Sequence, residues 1–565
     1  MIKKLVYSKF WLPIIVLFLV LINWVASIIH TRLDLTSEKR FTLSSPTKKL
    51  LQKIDDPITI DVFLKGNYPS GFRQLSASTN DMLKEFKEIA TNKIRYNFIN
   101  AEDVLPETDV KYADTLTAMG FYPINLTSQV KEGQQQQFVY PFAWVHYKDK
   151  IEIIELYKGK SPIINFTELA SAEALLEYQF ANAISKITQT EKPIIGYAIG
   201  NGEPVNYTTY DLIENVLNKD YKLFTFSLDS PKFIPNAFKV MVIVKPTIKF
   251  TDEEKLKLDQ YVMNGGKLIL FADRLNAEMD SLQIKNEVIA FDRDLQINDM
   301  LFNYGARINA NLLMDLQCDY LPFDVNGNGQ FEMLPWNYFP VMESKANHPI
   351  NKGLGFVAGR FTNTLDTVEA EGINKTILLS SSSNARTIGS PAIISGKENV
   401  NAPEDAKYKM HNLATAVLLE GKFKSLFANR LSISMKANLD SFGIPFLPQC
   451  VQNNKIIVVS DGDIVLNAMV KANPIPMGAN QYTYGTQKEF PFANKIFLQN
   501  CLEYLINKNG LSDAKVKDYT PRLLDNNKVE EQKTVWQVIT IVFPISIVLL
   551  FAIVFQWLRK RKYTI

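Results

Sequence analysis

The chain has 565 residues, 46% hydrophobic and 21% charged, with a formal net charge of +3. That composition is ordinary for folded globular protein, and the charge is too balanced to argue for a nucleic-acid partner. Three distant cysteines (Cys318, Cys450, Cys501) without a CxxC, and only four histidines, exclude a disulfide scaffold, a zinc knuckle and a histidine-rich metal site.

Phe10 to Ile29 is twenty residues without a charge. About 20 apolar residues span the hydrocarbon layer, so this run predicts a membrane helix, with residues 1–30 as cytoplasmic tip plus span. Trp11 and Trp24 sit near its ends, where indole rings favour the interface. The rival is a cleaved signal peptide; the run is longer than a usual h-region and Val25-Ala26-Ser27 is a poor cleavage site.

Residues 31–165 are expected to form one domain. Ile58 to Leu64 alternates as a strand, and 75–91 carries Leu75, Met82, Leu83, Phe86 and Ile89 at helical spacing. Ile94 to Ile99 predicts a strand, 109–119 a helix and Leu126 to Val130 a strand. The polar run 131–137 predicts a solvated hairpin or loop. A last hairpin pairs Phe138–Tyr147 with Ile151–Leu156. This order resembles a thioredoxin-like fold, with Gly120-Phe121-Tyr122-Pro123 where that family often has a cis proline. Lys65 to Pro69 stands where the redox cysteines would be, and without thiols there is no disulfide exchange.

Residues 166–510 are expected to be a second, α/β domain. Thr167 to Ile187 predicts a helix with Leu169, Leu176, Phe180, Ile184 and Ile187 on one face, bridging into it. Continuous apolar or β-branched runs predict strands at Ile194–Ile199, Tyr221–Phe226, Val240–Val244, Lys267–Phe271, 375–380, 413–419 and Ile456–Val459. Helices are expected near 208–218, after the capping box Thr251-Asp252-Glu253-Glu254, and over 490–506. The alternation predicts a parallel, flavodoxin-like sheet, with an excursion near 300–370. Residues 511–535 are expected to be a charged linker. Trp536 to Trp557 is twenty-two residues without a charge and predicts a second span, followed by the basic tail 558–565. Lys3, Lys4 and Lys9 before the first run, and Arg559 to Lys562 after the second, place both termini in the cytoplasm by the positive-inside rule.

Ligands of open parallel sheets sit beyond the carboxyl ends of strands. Three polar clusters fall there: Gly200-Asn201-Gly202-Glu203, Ala272-Asp273-Arg274 and Ser460-Asp461-Gly462-Asp463. Gly200, Asn201, Gly202, Glu203, Asp273, Asp461 and Asp463 are therefore candidate ligand-binding residues. Turns and helix caps are the simpler account of Asp and Gly at strand ends. Asp324 to Gly329 matches half an EF-hand loop, but Pro335 stands where the bidentate Glu belongs. There is no G-x-S-x-G and no Walker A motif, and Gly200-Asn201-Gly202-Glu203 lacks both the G-x-G-x-x-G pattern and a P-loop lysine, so no catalytic residue, cofactor or metal is assigned.

Ile194–Glu203, Tyr261–Asp273, Leu334–Pro340, His348–Leu354 and Ile456–Asp463, in that order between two apolar ends, resemble the auxiliary, substrate-binding-like subunit of the gliding-motility ABC transporter (the GldG family). The resemblance implies a glutamine-amidotransferase-like fold shared with an intraflagellar transport protein. It also implies an ABC-2-type permease and a separate ATPase as partners. The amidotransferase cysteine has no counterpart, since Gly200-Asn201-Gly202 occupies that strand end. The expected function is thus a non-catalytic periplasmic subunit with an unknown ligand or partner, held in the inner membrane. A cell-envelope hydrolase or glycan-modifying enzyme, and a mechanical scaffold, stay open.

Overall fold

The computed structural model describes residues 16–23, 42–106, 108–130, 133–157, 166–279, 282, 287–326, 328–395, 405–486, 488–490, 492–507, 510–516 and 526–563.

The N-terminal unit is built from α1 (Ser45–Gln52), β1 (Ile58–Val62), α2 (Ser70–Ile89), β2 (Ile94–Phe98), α3 (Tyr112–Ala118), β3 (Ile124–Val130), β4 (Gly133–Val139), β5 (Phe142–Tyr147), β6 (Lys150–Glu155) and α4 (Phe166–Thr188). β1 alternates buried and half-buried residues, as a strand covered more on one face does. The sheet order is β2-β1-β5-β6, with β1 parallel to β2 and antiparallel to β5. β3 and β4 pair only with each other, so the glutamine-rich run forms one arm of a hairpin; residues 131–132 lie outside the described residues. The described cis peptide is Ser390–Pro391, and Tyr122–Pro123 is trans.

Helix α4, expected at the opening of the second domain, sets Leu169, Leu176, Phe180, Ile184 and Ile187 into the first sheet's core beside Leu83, Phe86 and Val145. Leu511, inside the expected linker, joins the same core from a 3-10 turn over Leu511–Val516. The other face of α4 turns to the second unit. Lys186 Nζ lies 2.9 Å from Asp220 and 3.1 Å from Glu503, Asn182 donates to Glu503 at 2.8 Å, and the Tyr178 hydroxyl donates to it as well.

The second unit centres on seven strands: β7 (Ile194–Ile199), β8 (Lys222–Ser227), β9 (Val240–Val244), β10 (Lys267–Phe271), β11 (Ile373–Ser380), β12 (Ala414–Gly421) and β13 (Asn454–Val459). Their order is β11-β12-β13-β10-β9-β7-β8. The five from β13 to β8 are parallel, whereas β12 runs antiparallel to both β13 and β11. The sheet is therefore mixed, where sequence alternation predicts a parallel one. Among the described residues no α-helix lies between β11 and β12, where a parallel crossover usually carries one.

Every residue of β9 is buried, as expected of a central strand with both faces covered, and each such side chain contributes roughly 1.5–3 kcal/mol. Helix α5 (Asp252–Met263) opens with the predicted capping box, in which Thr251 accepts from Glu254 N–H and Glu254 accepts from Thr251 N–H. Helix α6 (Asn494–Ile506) buries Phe497, Leu498, Cys501 and Leu502 against the sheet. Cys318, Cys450 and Cys501 are free thiols.

The excursion is larger than 300–370. Strands Asn311–Asp315 with Ala385–Gly389, Glu287–Ala290 with Ala392–Ser395, and Cys318–Phe323 with Glu332–Met342 form small antiparallel sheets. They share a core of Trp336, Tyr338, Phe339 and Phe361.

Among the described residues, one helix is long and apolar enough to cross a membrane, Gln532–Arg561. Of the first apolar run, 16–23 is helical and exposed; the rest lies outside the described residues.

Candidate functional site

The strand ends set the site. In the order β8-β7-β9, the chain winds from β7 outward to β8 and then back to β9 on the other side. The crevice of such a sheet opens between β7 and β9, beyond their carboxyl ends. Here the chain places Gly200–Glu203 after β7, Lys245 after β9, Asp273 after β10 and Asp461–Asp463 after β13.

Three of the predicted residues come together. Carboxylate oxygens of Asp273, Asp461 and Asp463 lie within 4.8 Å of one another. A residue that was not expected there, Lys245, closes the group. Its Nζ lies 2.7 and 2.8 Å from the two oxygens of Asp463, 3.0 Å from Glu278 and 3.7 Å from Asp273. Arg293 pairs with Glu278 from behind. The ammonium thus pairs with two of the three clustered aspartates, Asp463 and Asp273. The available signal for Lys245 was a lysine directly after the wholly apolar run Val240–Val244, a costly place for a charge without partners.

Local geometry holds this arrangement. Lys245 adopts a left-handed backbone (φ 45°), uncommon for a residue with a side chain. A Cβ at Gly462 would come within 2.7 Å of Lys245 Cβ, so only glycine admits the lysine stem. Asp273 accepts from Gly462 N–H at 2.6 Å. Asp461 accepts from Asp463 N–H and Arg360 N–H, both at 2.8 Å, and from the Thr362 hydroxyl. The excursion thus supplies Glu278, Arg293, Arg360 and Thr362 to a cluster founded on sheet residues.

Electrostatics follow from burial. Asp461 and Asp273 are 0% and 3% exposed. Burial, with the neighbouring Asp273 and Asp463 charges, pushes the Asp461 carboxyl up to about 8. Burial also pushes Asp273 up to about 6, with Lys245 pulling the other way. For Lys245, burial favours the neutral amine, but Asp463, Asp273 and Glu278 outweigh it and hold the amine protonated. A lysine held so firmly charged is no nucleophile at neutral pH.

The β7 loop makes a separate cluster. Glu203 accepts from Asn201 N–H at 2.8 Å, Asn201 Nδ2 donates to Glu254 at 3.1 Å, and the Asn201 carbonyl accepts from Thr247 and Ile248 N–H. Gly200 and Gly202 take positive φ to shape the turn. These bonds latch β7 to the start of α5. The loop and the aspartates are joined through the segment 245–248, and they do not form one set of converging side chains. Glu203 Oε1, Asn201 Oδ1 and Asp273 Oδ2 have no hydrogen-bond partner among the described residues.

Two cavities lie elsewhere. One of about 360 Å³ is bounded by Phe233, Tyr261, Ile444 and Leu447, and one of about 600 Å³ by Phe302, Arg307, Asp366 and Ile377. Neither is lined by the seven predicted residues.

Comparison with known proteins places these elements. Residues 37–146 match a domain of unknown function (DUF7088). An uncharacterized protein of Borreliella burgdorferi is 20% identical over 570 residues, covering 98% of this chain and 97% of that one. Among solved structures, the mmIFT52 N-terminal domain aligns at 15% identity with a TM-score of 0.30, over 55% of this chain and 96% of that chain. The exo-beta-1,4-mannosidase Op5Man5 from Opitutaceae bacterium strain TAV5 aligns at 9% identity with a TM-score of 0.21, over 72% of this chain and 47% of that one. Residues 192–501, from just before β7 into α6, match the model of the ABC-type uncharacterized transport system family, and the chain belongs to that family of ABC transporter auxiliary proteins.

Proposed function

We propose that this protein is a non-catalytic, extracytoplasmic subunit of an ABC-2-type transporter, anchored by two spans with both termini in the cytoplasm. It couples to a multi-span permease and a separate ATPase, and it binds its ligand or partner outside the membrane. The observation that carries this reading is the family match over 192–501 in a chain that ends in the apolar helix Gln532–Arg561. Basic residues on the outer sides of both apolar runs support the topology. Association with gliding motility rests on the resemblance of Ile194–Glu203, Tyr261–Asp273 and Ile456–Asp463 to that transporter's auxiliary subunit. The order β2-β1-β5-β6 supports a thioredoxin-like first domain, and β8-β7-β9-β10-β13 a flavodoxin-like core in the second. A carboxylate cluster closed by its own lysine favours a structural or binding role over chemistry.

Affinity purification of the full chain in mild detergent should recover a multi-span permease and an ATPase. Truncation after Glu531 should abolish that recovery while the soluble part still folds. Recovery of the intact chain alone counts against the proposal.

The buried Glu203 Oε1, which has no hydrogen-bond partner among the described residues, favours one rival, an envelope hydrolase using carboxylates of this region. That rival requires Glu203→Gln and Asp461→Asn to abolish function at unchanged protein level. Retained function in both variants sinks it.

A further inference from the structure

We propose that Asn23 donates a hydrogen bond to the main-chain carbonyl of Ile539, pairing the two apolar helices of this chain inside the membrane. The proposal rests on the two-span reading above.

The C-terminal helix contains a defect. Residues Val538–Val542 form a π turn, and the Phe543 N–H bonds to the Val538 carbonyl. In α register the Ile539 carbonyl would accept from Phe543, which is committed elsewhere. In π register it would accept from residue 544, which is proline and has no N–H. Ile539 is thus left without either helical donor. The nearby Thr540 hydroxyl does not fill the gap, since it donates to Trp536 O at 2.7 Å and Gln537 O at 3.3 Å. An unpaired carbonyl in hydrocarbon costs several kcal/mol, so such breaks persist where a neighbouring helix supplies a donor.

The donor is in the first apolar run. Between Phe10 and Ile29 the hydrogen-bonding side chains are those of Asn23, Ser27 and the two tryptophans. Residues 16–23 are helical, and Val16 to Ile22 are exposed, with no described neighbour covering them. Asn23 gives one amide hydrogen to Leu19 O at 3.0 Å, and the amide carries a second.

The depths agree. With both termini inside, the helices are antiparallel. Along the sequence, Asn23 is six residues in from Ile29 and Ile539 three residues in from Trp536, both on the outer side under this topology. The difference is less than one helical turn. Asparagine is a recognised cross-helix donor in membranes, and apolar flanks such as Val20 and Phe543 would pack on either side.

The test uses the full chain in native membranes, with a protease site inserted in 131–137 so that only a covalent link between the ends holds the fragments together. Val20→Cys with Phe543→Cys should form that link under mild oxidation, within one chain. Asn23→Leu should lower its yield several-fold. Pro544→Ala, which returns an N–H to the helix, should make Asn23→Leu silent. Absence of the link, a link only between chains, or indifference to Asn23→Leu overturns the pairing; indifference would mean that interfacial water or a partner's helix serves the carbonyl. Alkylation of Lys3→Cys and Lys562→Cys separates this from failure of the topology. If the two label from opposite sides, the two-span reading falls; if from the same side without a link, the pairing alone falls.

Discussion

Replacing Lys245 with methionine should lower the stability of the protein by about 3–5 kcal/mol at pH 8, the usual cost of removing one partner from a buried ion group. The lysine is the cation placed among Asp463, Glu278 and Asp273. Methionine keeps much of its apolar stem, so the loss isolates the charge. In thermal melts of the detergent-purified chain this corresponds to a fall of roughly 5–15 °C. The pH dependence identifies the cause. Asp461 and Asp273 have folded-state values raised to about 8 and about 6 from the ordinary 3.8. A raised carboxyl contributes stability that is fully present below its unfolded value and is lost as pH rises through the folded one. The intact protein should therefore lose stability between about pH 4 and pH 8. Without Lys245 the carboxyls are harder still to ionise, so the gap between variant and parent should be wider at pH 8 than at pH 5. A gap below about 1 kcal/mol, or one indifferent to pH, would show that the cluster is not held by this charge.

The second large effect is expected at Glu503, where the two folded units meet. Its carboxylate accepts from Tyr178 and Asn182 and faces Lys186 on α4, with Lys515 at 3.9 Å from the 511–516 turn. Burial alone would raise this carboxyl, but Lys186 and Lys515 dominate and bring it down to about 2. Glu503→Gln leaves Lys186 its partner Asp220 and removes the carboxylate charge that faces Lys186 and Lys515. The expected cost is about 2–4 kcal/mol. It should appear as separation of the units more than as melting of either core, since each has its own. Two kcal/mol is roughly a factor of 30 in an opening equilibrium, so cleavage within 189–193, between α4 and β7, should accelerate by about that much. A depressed carboxyl contributes stability above its unfolded value and loses it as pH falls through the folded one. The parent should therefore open in the same way between about pH 4.5 and pH 2. Unchanged cleavage in the variant would place the rigidity of the junction elsewhere.

These two clusters mark how far the residues could be read without the fold. The inner strands of the central sheet announce themselves as short apolar runs, because a strand covered on both faces must be apolar. The edge strands Lys222–Ser227 and Ile373–Ser380 show through β-branched and aromatic residues among exposed polar ones. Thr251 to Glu254 announces the start of α5, because capping is a contact within four residues. Direction is another matter. Nothing within Ala414–Gly421 distinguishes antiparallel from parallel pairing, since that depends on the path of the connection. The small sheets of the excursion escape periodicity as well, because their strands pair with distant partners and their core is aromatic and irregular.

The sites divide in the same way. Asp273, Asp461 and Asp463 are legible as polar residues at strand ends, and parallel neighbours β10 and β13 carry them side by side. Lys245, Glu278, Arg293 and Thr362 belong to three separate stretches whose approach depends on the excursion folding back over the sheet. Gly200 to Glu203 looks alike on paper, yet its bonds run to Thr247, Ile248 and Glu254 and make a latch.

Local and compositional features follow directly from the order of residues: the apolar run that becomes Gln532–Arg561, the strand and helix positions, the caps, and the polar strand ends. Tertiary structure alone decided the strand directions, the membership of α4 and Leu511 in the first core, and the ammonium that closes the aspartate cluster. The physical reason is range. Propensity, capping and hydrophobic period act over a few residues, whereas burial of a charge is tolerable only when partners from distant segments arrive together.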